Sequence, residues 1–80
     1  MPLITVKMWP GRSEEAKRIA AKAIMEAASQ AMGTPPSAFT VIMEDVPREE
    51  WDATVVAKEI NPKSDLVYIR QGEPTWQEKV

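Results

Sequence analysis

Residues 13 to 33 read SEEAKRIAAKAIMEAASQAMG, and this stretch decides the fold. Ser13 is a strong N-cap, and Glu14 and Glu15 put negative charge in the first turn, where the helix dipole favours it. Ile19, Ala23, Ala27 and Ala31, with Ile24, Ala28 and Met32 alongside, recur at helical spacing on one side. Gly33 supplies a left-handed stop, and Pro35-Pro36 forbid continuation. The pattern predicts a helix from Ser13 to Met32 whose alanine-rich side lies close against a sheet.

Upstream, Leu3 to Trp9 alternates: Ile4, Val6 and Met8 fall on one face, Thr5 and Lys7 on the other. Period two of this kind predicts a strand, broken by Pro10-Gly11. Downstream, Phe39 to Val46 predicts a second strand, with Phe39, Val41 and Met43 on one face and Thr40, Ile42 and Glu44 on the other. Strand, long helix and strand make a β-α-β unit, whose crossover demands parallel strands. Further on, Trp51 to Ile60 has no strict alternation, but Val55, Val56 and Ile60 suit one face of a short helix ended by Asn61-Pro62. Asp65 to Arg70 reads as a short strand or arm before Gln71-Gly72, one with little to pack on in an isolated monomer.

With 80 residues and no internal repeat, the chain is expected to form one domain over residues 1–80 with a thin core. It has no cysteine and no histidine, so disulfides are impossible and the commonest zinc and copper ligands are missing. Self-association is then the expected way to cover the 44% of residues that are apolar. A net charge of −2 provides no electrostatic footprint for nucleic acid. Lys17, Arg18 and Lys22 stand among Glu14, Glu15 and Glu26, the mark of a solvated helix face. No apolar run is long enough to span a membrane, and the first residues lack a basic n-region, so a cytoplasmic location is expected.

The same composition narrows the chemistry. No serine has a histidine to activate it, and no phosphate-binding glycine loop exists. The remaining feature is positional: Pro2 follows the initiator methionine and opens a strand. Loss of Met1 would leave a secondary amine on a rigid ring. The reference pKa of an α-amino group is about 8; an apolar pocket and a nearby cation lower it towards the range of a useful acid/base. Proline at a strand start has a plain structural explanation too, because it costs no ladder hydrogen bond there.

Pro2-Leu3-Ile4-Thr5-Val6, then Gly11-Arg12-Ser13, the long helix ending before Pro35, Val41-Ile42-Met43-Glu44 and Val46-Pro47…Trp51 together resemble the 4-oxalocrotonate tautomerase family. The resemblance runs without a gap from Pro2 to about Trp51. It implies a cofactor-independent keto–enol tautomerase of β-α-β fold, with one long helix covering two parallel strands and the sheet extended by subunit pairing. In such enzymes the N-terminal proline, near the subunit interface, shuttles a proton between the enol oxygen and a carbon of a 2-keto acid. The resemblance makes Pro2 the catalytic residue, Arg12 the substrate-carboxylate anchor and Trp51 the apolar pocket wall, with no metal and no cofactor.

Two departures matter. Better-known members carry a second arginine where this chain has Thr40, whose hydroxyl can hydrogen-bond a carbonyl oxygen but brings no charge. Asp52-Ala53-Thr54-Val55 replaces the glycine-rich turn that often follows the aromatic residue. The longer C-terminal part is closer to the small dimeric bacterial tautomerases of phenylenolpyruvate type, so a homodimer is expected, with a hexamer as the alternative. Two other functions stay open: a non-catalytic oligomeric scaffold, which Thr40 favours, and a promiscuous hydratase or dehalogenase in which Glu44, Glu50 or Asp52 activates water. Trp9 and Trp76 are expected at interfaces.

Overall fold

Alternation between Leu3 and Met8 produces the first strand of the computed structural model, which describes residues 1–77. The described chain divides into two units, the first Met1–Arg48 and the second beginning at Glu49.

In the first unit, strand β1 (Leu3–Met8) pairs in parallel with strand β2 (Thr40–Asp45), in a register that sets Leu3 beside Thr40 and Met8 beside Asp45. Helix α1 (Glu14–Met32) connects them. Ile4, Val6, Val41 and Met43 are half-buried and Met8 is buried, whereas Leu3, Thr5, Thr40, Ile42 and Glu44 are exposed. This is the two-faced pattern read from the sequence.

The helix ends are built by the residues expected. The Ser13 side chain accepts the Ala16 N–H at 3.1 Å. Gly33 takes φ 64° at the C-cap, and the Ser29 carbonyl accepts the N–H groups of both Gly33 and Thr34. Of the expected inward stripe only Ile24 and Ala28 are half-buried. Ile19 is 62% exposed, Met32 is 60% exposed, and Ala23, Ala27 and Ala31 are exposed. Lys17, Ala20, Ala21 and Met25 join Ile24 and Ala28 on the half-buried side. Alanines are spread around this helix, so apolarity alone does not fix its rotation. Lys17 adds what the pattern could not show: its stem lies along the covered side while its Nζ reaches Asp45 Oδ2 at 2.9 Å, tying α1 to the end of β2.

In the second unit, Asp52–Ile60 is helical but wound as a π-helix, closed by a hydrogen bond from the Asn61 N–H to the Val56 carbonyl. Bonds of the i→i+5 kind stack residues four and five apart. They bring half-buried Trp51, Val56 and Ile60 and buried Val55 to one side. The expected short helix is therefore present in a wider winding. A 3₁₀ segment, Asn61–Leu66, follows. Of the short strand or arm expected over Asp65 to Arg70, Ile69–Arg70 is a strand, β3, and it pairs antiparallel with strand β4 (Glu73–Pro74) in a tight hairpin. Gln71 and Gly72 turn it with φ of 50° and 85°, the doubly left-handed geometry that suits two-residue hairpins and that glycine adopts at no steric cost. Tyr68 and Trp76 stack on it with ring centroids 6.2 Å apart. Among the described residues, no helix is long and apolar enough to cross a membrane.

Candidate functional site

Pro2 is half-buried at the entrance to β1, and its carbonyl accepts the Thr40 N–H at 3.1 Å. That bond extends the β1–β2 ladder by one step, so the first prolyl residue is held by the sheet rather than left as a loose end. Met1 before it is fully exposed, so its removal uncovers the Pro2 nitrogen without opening the packing. Two of the four residues singled out in the sequence, Pro2 and Thr40, therefore meet through their main chains. The Thr40 side chain leaves on the exposed sheet face, together with Ile42 and Glu44.

Arg12 lies elsewhere. Gly11, at φ 126°, turns the chain out of β1 in a conformation that side-chain-bearing residues rarely adopt. Arg12 follows, exposed, with Nη1 donating to the Trp9 carbonyl at 3.4 Å. Pro2 precedes the six-residue β1 and Arg12 follows it; at about 3.3 Å per residue the strand alone separates them by roughly 20 Å. Within one copy of the first unit, the proposed base and the proposed carboxylate anchor stand at opposite ends of the sheet.

A residue not singled out in the sequence joins Arg12. The Arg48 guanidinium lies over the Trp9 ring, 4.3 Å from its centroid. One tryptophan thus holds two arginines, one on its ring face and one on its carbonyl. The sequence signal was slight: an arginine after the Val46-Pro47 stop, where a solvated side chain is the ordinary reading. Among the described residues neither arginine takes part in an ion pair. This end of the sheet consequently offers two uncompensated cations to an anionic group.

Trp51 belongs to the second unit, at the head of the π-helical segment. It lines a cavity of about 540 Å³ together with Val56, Ile60, Val67, Ile69 and Arg70. The cavity is within the 300–1,000 Å³ range of small-molecule sites. Glu44, Glu50 and Asp52, the carboxylates weighed for water activation, are all exposed.

Known proteins give these features a context. The family model described as tautomerase enzyme matches residues 2–61, from the proline to the end of the π-helical segment. A 2-hydroxymuconate tautomerase of Comamonas testosteroni is 39% identical over 61 residues, covering 75% of this chain and 97% of its own. A probable tautomerase of Xylella fastidiosa is 32% identical over 72 residues, covering 90% and 88% of the two chains. Among solved structures, TomN, a 4-oxalocrotonate tautomerase homologue of the tomaymycin biosynthetic pathway, superposes with a TM-score of 0.61 at 34% identity, over 76% of this chain and 98% of its own. With the β-α-β unit, the proline at its entrance and these relatives agreeing, the chain belongs to the tautomerase family, in its 4-oxalocrotonate tautomerase branch, and is an isomerase.

Proposed function

We propose that this tautomerase interconverts the enol and keto forms of a small 2-keto acid, with the Pro2 amine, freed by loss of Met1, as its acid/base. The observation that carries the proposal is the placement of Pro2: half-buried, with its carbonyl fixed by the Thr40 N–H at 3.1 Å. A base must sit within hydrogen-bond reach of the proton it moves, and a tethered prolyl ring gives its nitrogen a defined direction. In ketonisation the neutral amine accepts the enol hydroxyl proton. The oxygen's freed electron pair forms the carbonyl, the C=C pair shifts to carbon, and that carbon takes a proton from the Pro2 ammonium. No redox partner enters the balance.

Arg12 anchors the substrate carboxylate, Trp51 supplies an apolar wall, and the Thr40 hydroxyl hydrogen-bonds the carbonyl oxygen. The strand's length between Pro2 and Arg12 bears on how this can work. Two copies joined edge to edge about a two-fold axis run their strands in opposite directions. The Arg12 end of one copy then lies beside the Pro2 end of the other. Both strands of the β1–β2 sheet have an edge without a ladder partner among the described residues, and a two-stranded sheet is marginal by itself. Exposed Leu3 and Ile42 on the outer face add apolar surface to be covered. A homodimer is the smallest assembly that meets these demands, and a hexamer of three such dimers meets them too.

The test is the ketonisation rate of phenylenolpyruvate, on protein shown by intact mass to lack Met1, beside Pro2→Ala. A clear rate that collapses in the variant is expected. Equal rates in the two proteins would overturn the proline mechanism.

A further inference from the structure

The second unit carries a cavity that the proton-transfer chemistry does not by itself require. Its walls are Trp51, Val56, Ile60, Val67 and Ile69, and its one cationic side chain is Arg70. The match to the family model ends at residue 61, and the 72-residue likeness to the Xylella fastidiosa relative runs on past it. Val67, Ile69 and Arg70 therefore come from the part of the chain beyond the family model's match.

We infer that this cavity binds a small carboxylate with an apolar, ring-sized body, and that Arg70 is the residue that holds the carboxylate. Three observations support the choice of ligand. Beside Arg70 and the two amides Asn61 and Gln71, the lining is an indole and four branched aliphatic side chains, a mainly apolar wall that favours an apolar body over a sugar or a phosphate ester. The volume of about 540 Å³ accommodates a ring with a short acid chain rather than a peptide. Arg70 is exposed and makes no ion pair among the described residues, although Glu73 is its cross-strand partner in the hairpin. Its planar fork of N–H donors is therefore free to take a carboxylate in two parallel hydrogen bonds.

The geometry of the hairpin suits this role. The Gln71-Gly72 turn and the bond from the Thr75 N–H to the Tyr68 carbonyl, 2.8 Å long, fix the strand on which Arg70 stands. The guanidinium is thus carried on an ordered element next to an apolar cavity. The inference deepens the tautomerase reading, and rests on it in one respect, the role of Trp51 as a residue in contact with substrate.

The experiment measures binding of 3-phenylpropionate, which has no 2-keto group and so is not turned over, to the full chain lacking Met1. Binding is followed by NMR of the assigned tryptophan indole N–H signals. Saturable binding that moves the Trp51 signal is expected. Arg70→Ala is expected to weaken it about tenfold or more, the loss of a charge-assisted hydrogen-bonded pair. Arg70→Lys recovers part of the loss, and Lys63→Ala, a nearby change of the same charge, leaves binding intact. The neutral analogue 3-phenylpropanamide is expected to bind wild type and Arg70→Ala alike. No saturable binding, an unchanged affinity in Arg70→Ala, or an equal loss in Lys63→Ala would each overturn the inference. Pro2→Ala separates the two proposals. If it abolishes turnover and keeps binding, both stand; if it keeps full turnover, the proline mechanism fails and the Arg70 site does not.

Discussion

Pro2 is half-buried and tied to Thr40 through its carbonyl, so replacing its ring with alanine alters the nitrogen more than the packing. Alanine keeps a primary amine but not the ring that directs its lone pair, so Pro2→Ala is expected to lower kcat/KM for enol ketonisation by about 100-fold, the scale of a misplaced acid/base group, with the fold unchanged by circular dichroism. In the proposed mechanism the neutral amine is the base, so the rate in wild type is expected to rise with pH as that amine loses its proton. A kcat/KM profile with no such limb would count against it. Arg12 anchors rather than reacts, so Arg12→Ala is expected to act mainly through KM, about tenfold or more, with Arg12→Lys in between. Thr40 is the position at which charge can be restored. Thr40→Arg is expected to raise kcat/KM for an enol diacid relative to a monoacid by about tenfold, since a cation facing developing negative charge is often worth several kcal/mol. If the ratio between the two substrates does not move, Thr40 does not face the carbonyl end of the substrate.

The elements of the first unit were legible because each is set by residues acting locally. The Ser13 cap, the left-handed Gly33 and the alternation of Ile4, Val6 and Met8 are written in single residues and short periods, and they appear where expected. The Ser13 cap bond allows a direct check: Ser13→Ala is expected to cost about 1 kcal/mol, read from the denaturant midpoint at fixed protein concentration. The rotation of α1 was not legible, since so many alanines leave its apolar side undefined until Lys17 finds Asp45 across 28 residues. The hairpin was hidden for a similar reason. Leu66 to Ile69 is an apolar run, and only the paired left-handed residues Gln71 and Gly72 reveal that it folds back. Arg48 and Arg70 were missed as site residues because their meaning lies in what stands beside them, the Trp9 ring and the Trp51 cavity.

At the scale of the whole molecule, the candidate site is divided. Pro2 and Thr40 meet at one end of the sheet and Arg12 and Arg48 gather at the other; in the proposed dimer a second copy running the opposite way joins them. This makes a prediction of its own. Pro2→Ala protein, nearly inactive alone, and Arg12→Ala protein, impaired at low substrate through KM, are expected to regain part of the wild-type activity at low substrate when unfolded together and refolded as mixed oligomers, because some sites then pair an intact Pro2 with an intact Arg12. Mixtures no more active than their parts would place both residues in the same copy's site. The central claim, that a free proline amine does the chemistry, is tested most directly by comparing two forms of the wild-type chain that differ in Met1 alone. The form without Met1 has an amine at Pro2, and the form that retains it has an amide with no basic lone pair. The ketonisation rate of phenylenolpyruvate is expected to be clear in the first and at background in the second. Equal rates in both would contradict the account, because no proton could then pass through the Pro2 nitrogen.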